Sequence, residues 1–128
     1  MKRLLLDTHV LLWWLIDHPS LGSKTKAQIS NPDNEIWVSA ASTWEISIKK
    51  SIGKLRAPDD MESIIESEGF LPLPISLFHG QQAGSLPHYH KDPFDRMLIA
   101  QAQAEGLTLV TKDSQFPQYG IRLLDAAL

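Results

Sequence analysis

The chain has 128 residues and a mass of 14.4 kDa, the size of one domain, so we expect a single domain over residues 1–128. Its residues are 43% apolar and 21% charged, which excludes a disordered chain, and the lack of cysteine excludes disulfides, thiolate metal sites and cysteine nucleophiles. Twelve basic against fifteen acidic residues leave a net charge of −3, which argues weakly against a nucleic-acid partner.

Short apolar segments alternate with longer amphipathic segments along the whole chain. The first helix is predicted from Thr8 to the His18-Pro19 pair, and Pro72 and Pro74 place the third strand at a sheet edge. This alternation predicts an α/β fold in which a parallel sheet carries helices on both faces. Strands are predicted over residues 2–6, 35–38, 70–75, 107–110 and 121–124, and further helices over residues 23–30, 39–52, 58–69, 76–83 and 92–105.

The N-terminal region gives no sign of export or membrane insertion. Its longest apolar run covers residues 10–16, whereas a spanning helix needs roughly 20 residues. The basic start is followed by Asp7 instead of an apolar signal region. We therefore expect a cytoplasmic protein with no membrane partner.

Acidic residues stand where the predicted strands end or where the next helix begins. Asp7 closes the first strand, Glu45 lies two helical turns beyond the second, and Asp113 follows the fourth. Asp92 and Asp95 open the helix that precedes the fourth strand. Function in open parallel sheets collects beyond the carboxyl ends of the strands, so we expect these five carboxylates at one rim.

Each acid also has a purely structural explanation. Asp7 and Asp92 are suitable helix N-caps, and Glu45 fits the end of a capping box that begins at Ser42. Several carboxylates at close range repel one another, however, and such a cluster is stable mainly with a divalent cation. An all-oxygen ligand set favours Mg²⁺ or Mn²⁺, and metal-dependent phosphodiester hydrolysis needs no side-chain nucleophile. Thr8 and Thr111 stand beside proposed ligands and could orient them.

Four segments carry a resemblance to a known family: residues 5–9 (LLDTH), 39–46 (SAASTWEI), 92–102 (DPFDRMLIAQA) and 110–113 (VTKD). In this order and spacing the chain resembles the PIN-domain ribonucleases, specifically the VapC-type toxins of toxin–antitoxin pairs, over essentially its whole length. The resemblance implies a PIN-like three-layer α/β/α sandwich with a five-stranded parallel sheet.

The same resemblance implies a metal-dependent catalytic site. Asp7, Glu45, Asp95 and Asp113 match the family's acidic quartet, which is catalytic and binds Mg²⁺, with Mn²⁺ as a substitute. Asp92 matches an accessory acid. The implied activity is endoribonuclease cleavage of RNA, often transfer RNA. The implied partners are a cognate antitoxin that silences the enzyme and a second copy of the chain, as a homodimer or a toxin–antitoxin hetero-oligomer.

Basic residues near the acids are candidate RNA contacts. Residues 46–58 contain four basic residues and no acid, which indicates either a solvated helix face or a phosphate-binding surface; Lys49 and Lys50 are its candidates. Arg96 is expected either to contact phosphate or to form a salt bridge with a nearby acid. Lys112 stands where many relatives have asparagine, and it could contact RNA or weaken a second metal, so one or two metal ions remain open.

Histidine and tryptophan residues suggest less specific roles. We expect loop or substrate contacts, in preference to a metal-ligand pair, from the histidines, which are His79, His88 and His90. Adjacent tryptophans cannot share a helix face, so one of Trp13 and Trp14 is expected in the core and the other at a partner surface. We expect Trp37 and Trp44 in the core.

Two other function classes remain open from the residues alone. A phosphatase of the haloacid dehalogenase type needs a second aspartate two residues after the first, where this chain has His9, and a receiver domain needs an acidic pair that is missing here. A non-catalytic interaction domain that keeps its acidic rim for structure is the other alternative. Metal titration separates the interaction domain from an enzyme, because only a metal site gains stability with Mg²⁺ or Mn²⁺.

Overall fold

Five strands form one parallel sheet in the computed structural model, which describes residues 1–113 and 116–128. The strand order is β3-β2-β1-β4-β5, and each neighbouring pair runs parallel. The predicted sheet is therefore confirmed, with the proline-containing β3 at one edge. The strands are β1 (Arg3–Leu6), β2 (Glu35–Ser39), β3 (Leu71–Leu73), β4 (Thr108–Thr111) and β5 (Leu123–Asp125).

Helices connect the strands in the described part of the chain. Their bounds are α1 (Thr8–Leu15), α2 (Ser23–Ser30), α3 (Ala40–Ser51), α4 (Met61–Ser67), α5 (Leu77–Ser85) and α6 (Pro93–Glu105), and a short 3-10 helix covers Phe116–Tyr119. Pro93 is the first residue of α6, and Gly106 ends that helix in the left-handed conformation, as the sequence predicted. Within the described ranges, each helix is too short or too polar to cross a bilayer.

Alternate side chains of the strands feed two separate cores, one on each face of the sheet. Leu4 and Leu6 of β1 lie in the first core, which α1, α2, α3 and α4 cover. Leu5 of β1 and Leu109 of β4 lie in the second, which α5 and α6 cover. Strands buried on both faces explain the continuous apolar runs in the sequence. The layers thus form the expected α/β/α sandwich.

Several element boundaries differ from the prediction. The helix expected from residue 58 begins at Met61, because the Asp60 side chain accepts the Ser63 N–H and caps it there. β3 is limited to three residues, since Pro72 and Pro74 lack the N–H that a longer ladder needs. β5 lies slightly later than expected, with Leu123 paired to Leu109.

The buried face of α3 also differs from the prediction. Ser39 caps the helix by accepting the Ala41 N–H, so the capping box proposed at Ser42 is wrong. The residues of α3 that are buried are Ala41, Ser42, Glu45 and Ile46. Trp44 is 61% exposed, so its prediction as a core residue is wrong.

The remaining tryptophans lie at the borders of the two cores. Trp37 is half-buried and packs against the second core, which agrees only in part with a core position. Trp13 and Trp14 are both half-buried and both pack against the first core. The predicted division into one core and one exposed tryptophan is therefore wrong.

Candidate metal centre

The sheet has a topological switch point between β1 and β4. The chain proceeds from β1 outward to β2 and β3, then returns to the other side of β1 to form β4 and β5. Loops that leave the two central strands in opposite directions open a crevice at their carboxyl ends, which is where ligands bind in such sheets. Asp7 directly follows β1, and Asp113 lies two residues beyond β4.

Asp7 links the two central strands and also caps α1. Its Oδ1 accepts the Val10 N–H at 2.9 Å, and its Oδ2 accepts the Thr111 hydroxyl at 2.6 Å. The side chain is buried, and burial raises the pKa of its carboxyl although both hydrogen bonds oppose the shift. The cap expected for Asp7 is confirmed, but the Thr111 bond across to β4 shows that capping is not its only role.

Glu45 is buried inside α3, far from the helix start. The Thr8 hydroxyl donates to its Oε1 at 2.7 Å, and the Lys49 ammonium donates to its Oε2 at 2.7 Å. The bond to Glu45 raises the pKa of Lys49. Lys49 therefore neutralises Glu45. An i,i+4 Glu–Lys spacing was the signal that could have shown this pair.

Asp92 and Asp95 begin α6 as predicted. Asp92 is the N-cap, and its Oδ1 accepts the N–H groups of Phe94 at 2.9 Å and Asp95 at 3.0 Å. Burial, followed by the charge of Asp92, raises the pKa of Asp95 to about 7. The charges of Asp7 and Glu45 contribute to the same rise, so three separate elements bring carboxylates close enough to act on one another electrostatically.

His90 lies between Asp113 and Asp95, a position that was not predicted from the sequence. His90 Nε2 lies 2.8 Å from Asp113 Oδ2 and 3.0 Å from Asp95 Oδ2. One donor atom from each of these three residues lies within 4.8 Å of the other two. His90 is 9% exposed, and its place two residues before the N-cap Asp92 was a sequence signal for it.

The other two histidines lie elsewhere. His79 is buried in α5, where it forms a capping box with Ser76, and its Nε2 lies 2.9 Å from Glu105 Oε2. This places His79 in the packing of α5 against α6, so the loop or substrate contact expected for it is wrong. His88 is exposed on the loop before α6, where a substrate contact stays a prediction.

The basic residues differ in how accessible they are. Arg96 is 8% exposed, and its guanidinium donates to the carbonyl oxygens of Ala83, Leu86, Pro87 and His90 at 2.8–3.1 Å. Its position therefore supports neither the phosphate contact nor the acid salt bridge expected from the sequence. Lys50 pairs with Asp59 at 2.6 Å, and Lys112 is exposed beside Asp113. RNA contacts by Lys49, Lys50 and Lys112 stay predictions.

The chemistry of this donor set fits a divalent cation. The four carboxylates that the sequence analysis named, from Asp7, Glu45, Asp95 and Asp113, offer oxygen ligands from four different elements around one crevice. Burial and mutual repulsion raise the pKa values of Asp7 and Asp95, because both effects disfavour the charged carboxylates. A bound cation stabilises the charged carboxylates and so offsets both effects. Oxygen ligands of this kind suit Mg²⁺ or Mn²⁺ better than zinc.

Comparisons with known proteins agree with this fold. A family model described as the PIN domain matches residues 4–122. Among solved structures, VapBC2 from Rickettsia felis bound to a promoter DNA fragment has a TM-score of 0.73 at 18% identity, covering 96% of this chain and 98% of that one. DNA-bound VapBC from Salmonella typhimurium has a TM-score of 0.69 at 20% identity, covering 98% of each chain.

A third similar structure is VapBC-1 from nontypeable Haemophilus influenzae, with a TM-score of 0.69 at 16% identity, covering 99% of this chain and 100% of that one. At such identities the likeness is one of fold. A search of curated proteins found no match. The family model nevertheless spans nearly the whole chain, from β1 with its following Asp7 to the loop before β5. This chain therefore belongs to the PIN domain family.

Proposed function

We propose that this chain is a Mg²⁺-dependent endoribonuclease of the VapC type, the toxin of a toxin–antitoxin pair. PIN domains are in general nucleases, and the similar solved structures include complexes titled VapBC. The observation that supports the proposal most is electrostatic: Asp7 and Glu45 act on the charge of Asp95, and Asp113 acts on that of Asp7, at the carboxyl ends of β1 and β4.

The acids would hold the cation, and neighbouring groups would keep them in place. Asp7, Glu45, Asp95 and Asp113 are its ligands in this proposal. When bound, Mg²⁺ supplies positive charge that activates water and stabilises the departing oxygen of a phosphodiester. The Thr111 and Thr8 hydroxyls fix the rotamers of Asp7 and Glu45 through bonds of 2.6 and 2.7 Å.

An aromatic pair beside the acids, with Trp44 exposed and Phe94 half-buried, favours a nucleic acid with unstacked bases. Trp44 precedes Glu45 and is 61% exposed, and its ring packs edge-on against Phe94 at a centroid distance of 5.1 Å. Phe94 in turn precedes Asp95. Aromatic side chains next to a cleavage site offer a stacking surface for bases of single-stranded RNA. This supports RNA loops, including those of transfer RNA, as substrates.

We further propose that a cognate antitoxin silences the enzyme and that the chain acts in the cytoplasm as a homodimer or a toxin–antitoxin hetero-oligomer. The similar structures from Rickettsia felis and Salmonella typhimurium are VapBC complexes bound to DNA. An acidic crevice attracts basic groups, so an inhibitory segment that enters it would carry arginine or lysine.

Cleavage of a total RNA pool by the purified chain tests the proposed activity. We expect discrete products with Mg²⁺ or Mn²⁺ and none with EDTA or in Asp7→Asn. Asp33→Asn is the matched control, because Asp33 is exposed in the turn before β2, at the opposite end of the sheet. Cleavage that persists in Asp7→Asn or in EDTA contradicts the proposal. Intact RNA with a folded protein that binds metal favours the non-catalytic interaction domain.

A further inference from the structure

His90 occupies a position in the acidic crevice that the metal ligands alone do not explain. Its Nε2 lies between Asp113 Oδ2 at 2.8 Å and Asp95 Oδ2 at 3.0 Å. These two acids come from separate elements, one from the start of α6 and the other from the segment after β4. An imidazole at this point is either a third metal ligand or a hydrogen-bond donor that joins the two acids.

The second ring nitrogen decides between these roles. His90 Nδ1 accepts the backbone N–H of Asp92 at 3.2 Å, so this nitrogen carries a lone pair and no proton. The neutral ring then has its proton on Nε2. A protonated Nε2 donates to a carboxylate but cannot coordinate a cation, because coordination needs the lone pair of that nitrogen.

The loop that carries His90 is held from two sides. The buried Arg96 guanidinium donates to the His90 carbonyl at 3.1 Å and to three further carbonyls of residues 83–87. The Tyr119 hydroxyl accepts the His90 N–H at 2.7 Å and donates to the Pro87 carbonyl at 2.8 Å. The ring is therefore placed by the protein before any cation binds, which is what a supporting group of a metal site requires.

We propose that His90 is a positioning residue of this metal centre and not itself a ligand: its Nε2–H donates to Asp113 at 2.8 Å, and the same nitrogen lies 3.0 Å from Asp95 Oδ2, so the ring holds the two carboxylates at a fixed separation. Without this donor the two like charges repel and move apart. Part of the binding free energy of a cation is then used to bring them together, which weakens its binding. The proposal rests on the proposed function in that these acids bind the cation. It adds the residue that sets their separation.

Mn²⁺ binding to the intact chain without RNA tests this role by electron paramagnetic resonance. We expect His90→Ala to weaken Mn²⁺ binding by roughly 10–100-fold, the usual loss for a group that supports metal ligands. His90→Gln should stay within about threefold of wild type, because its side-chain amide supplies an N–H near the position of Nε2. His88→Ala, an exposed histidine on the same loop, should bind Mn²⁺ as wild type does. Electron spin-echo spectra of Mn²⁺ on the wild-type chain should lack a directly bonded imidazole nitrogen.

Other outcomes overturn the proposal. Unchanged affinity in His90→Ala excludes positioning, and tighter binding shows that His90 competes with the cation. A directly bonded nitrogen shows that His90 is a ligand, and this readout on the wild type remains decisive if His90→Ala fails to fold. RNA cleavage is scored separately. A chain that cleaves RNA but shows no His90 effect refutes only this proposal, and one that shows the effect but leaves RNA intact refutes only the proposed activity.

Discussion

Asp95→Asn should make the metal-free protein more stable above neutral pH. The pKa of Asp95 is about 7 in the folded chain, against its ordinary value of 3.8, and burial is the main cause. An acid with a raised folded pKa favours the folded state only while it is protonated. Its contribution to stability is therefore lost as pH rises from about 4 through about 7. Asparagine has no charge to bury, so the variant escapes this loss.

The size of the effect follows from the shift. A difference of about 3 pKa units corresponds to at most about 4 kcal/mol of unfolding free energy. The Asp95 side chain is 26% exposed, so water offsets part of that cost, and the loss of a helix-start charge takes up to about 1 kcal/mol more. We therefore expect Asp95→Asn to gain about 2 kcal/mol at pH 8 and almost nothing at pH 4.

Urea unfolding in EDTA, followed by tryptophan fluorescence, measures this difference at both pH values. Millimolar Mg²⁺ should stabilise the wild type and leave Asp95→Asn nearly unchanged, because binding to the folded state alone adds stability. Asp33→Asn again serves as the control, since the same change at an exposed site should shift neither quantity. A variant that is no more stable than wild type at pH 8 would refute the electrostatic reasoning.

Substitutions at three further positions have outcomes that the structure determines. Arg96→Lys and Arg96→Met should each lower the unfolding free energy by at least about 3 kcal/mol in urea titrations. Neither a lysine nor a methionine can satisfy the four carbonyls that one planar guanidinium holds. An unchanged unfolding midpoint would contradict this role. Lys49→Met should tighten Mn²⁺ binding by about fivefold in titrations, since it removes the positive charge on Glu45, and weaker binding would show that Lys49 supports the site. Trp44→Ala should raise KM for single-stranded RNA about tenfold with little change in kcat, because base stacking is lost. It should alter the unfolding free energy by less than about 1 kcal/mol, because the ring is exposed. An unchanged KM would exclude the stacking role.

The sheet and its acidic rim could be predicted because both depend on local patterns. Apolar runs buried on both faces mark parallel strands, and acids such as Asp7 and Asp113 follow those runs directly. Strand order then brings the acids together without any further information. The cap at Asp92 was equally local, since Asp-Pro at a helix start satisfies the first free N–H groups.

The surroundings of the acids could not be predicted because they depend on tertiary contacts. Arg96 was expected to contact phosphate or an acid, yet its four partners are backbone carbonyls from the end of α5 and the loop that follows it. His90 enters the crevice only because that loop is held in place. On α3, Trp44 was expected in the core. The helix instead turns Glu45 inward, because that face borders the site.

The most direct test of a catalytic metal at this crevice is a comparison of two Mn²⁺ titrations of the same protein, one of metal binding and one of RNA cleavage rate. If the acids hold the cation that drives cleavage, the two curves should have the same midpoint. Asp7→Asn should lose binding and cleavage together, and Asp33→Asn should keep both. Cleavage that reaches its full rate before Mn²⁺ binds, or that survives in an Asp7→Asn protein without bound Mn²⁺, would contradict the assignment.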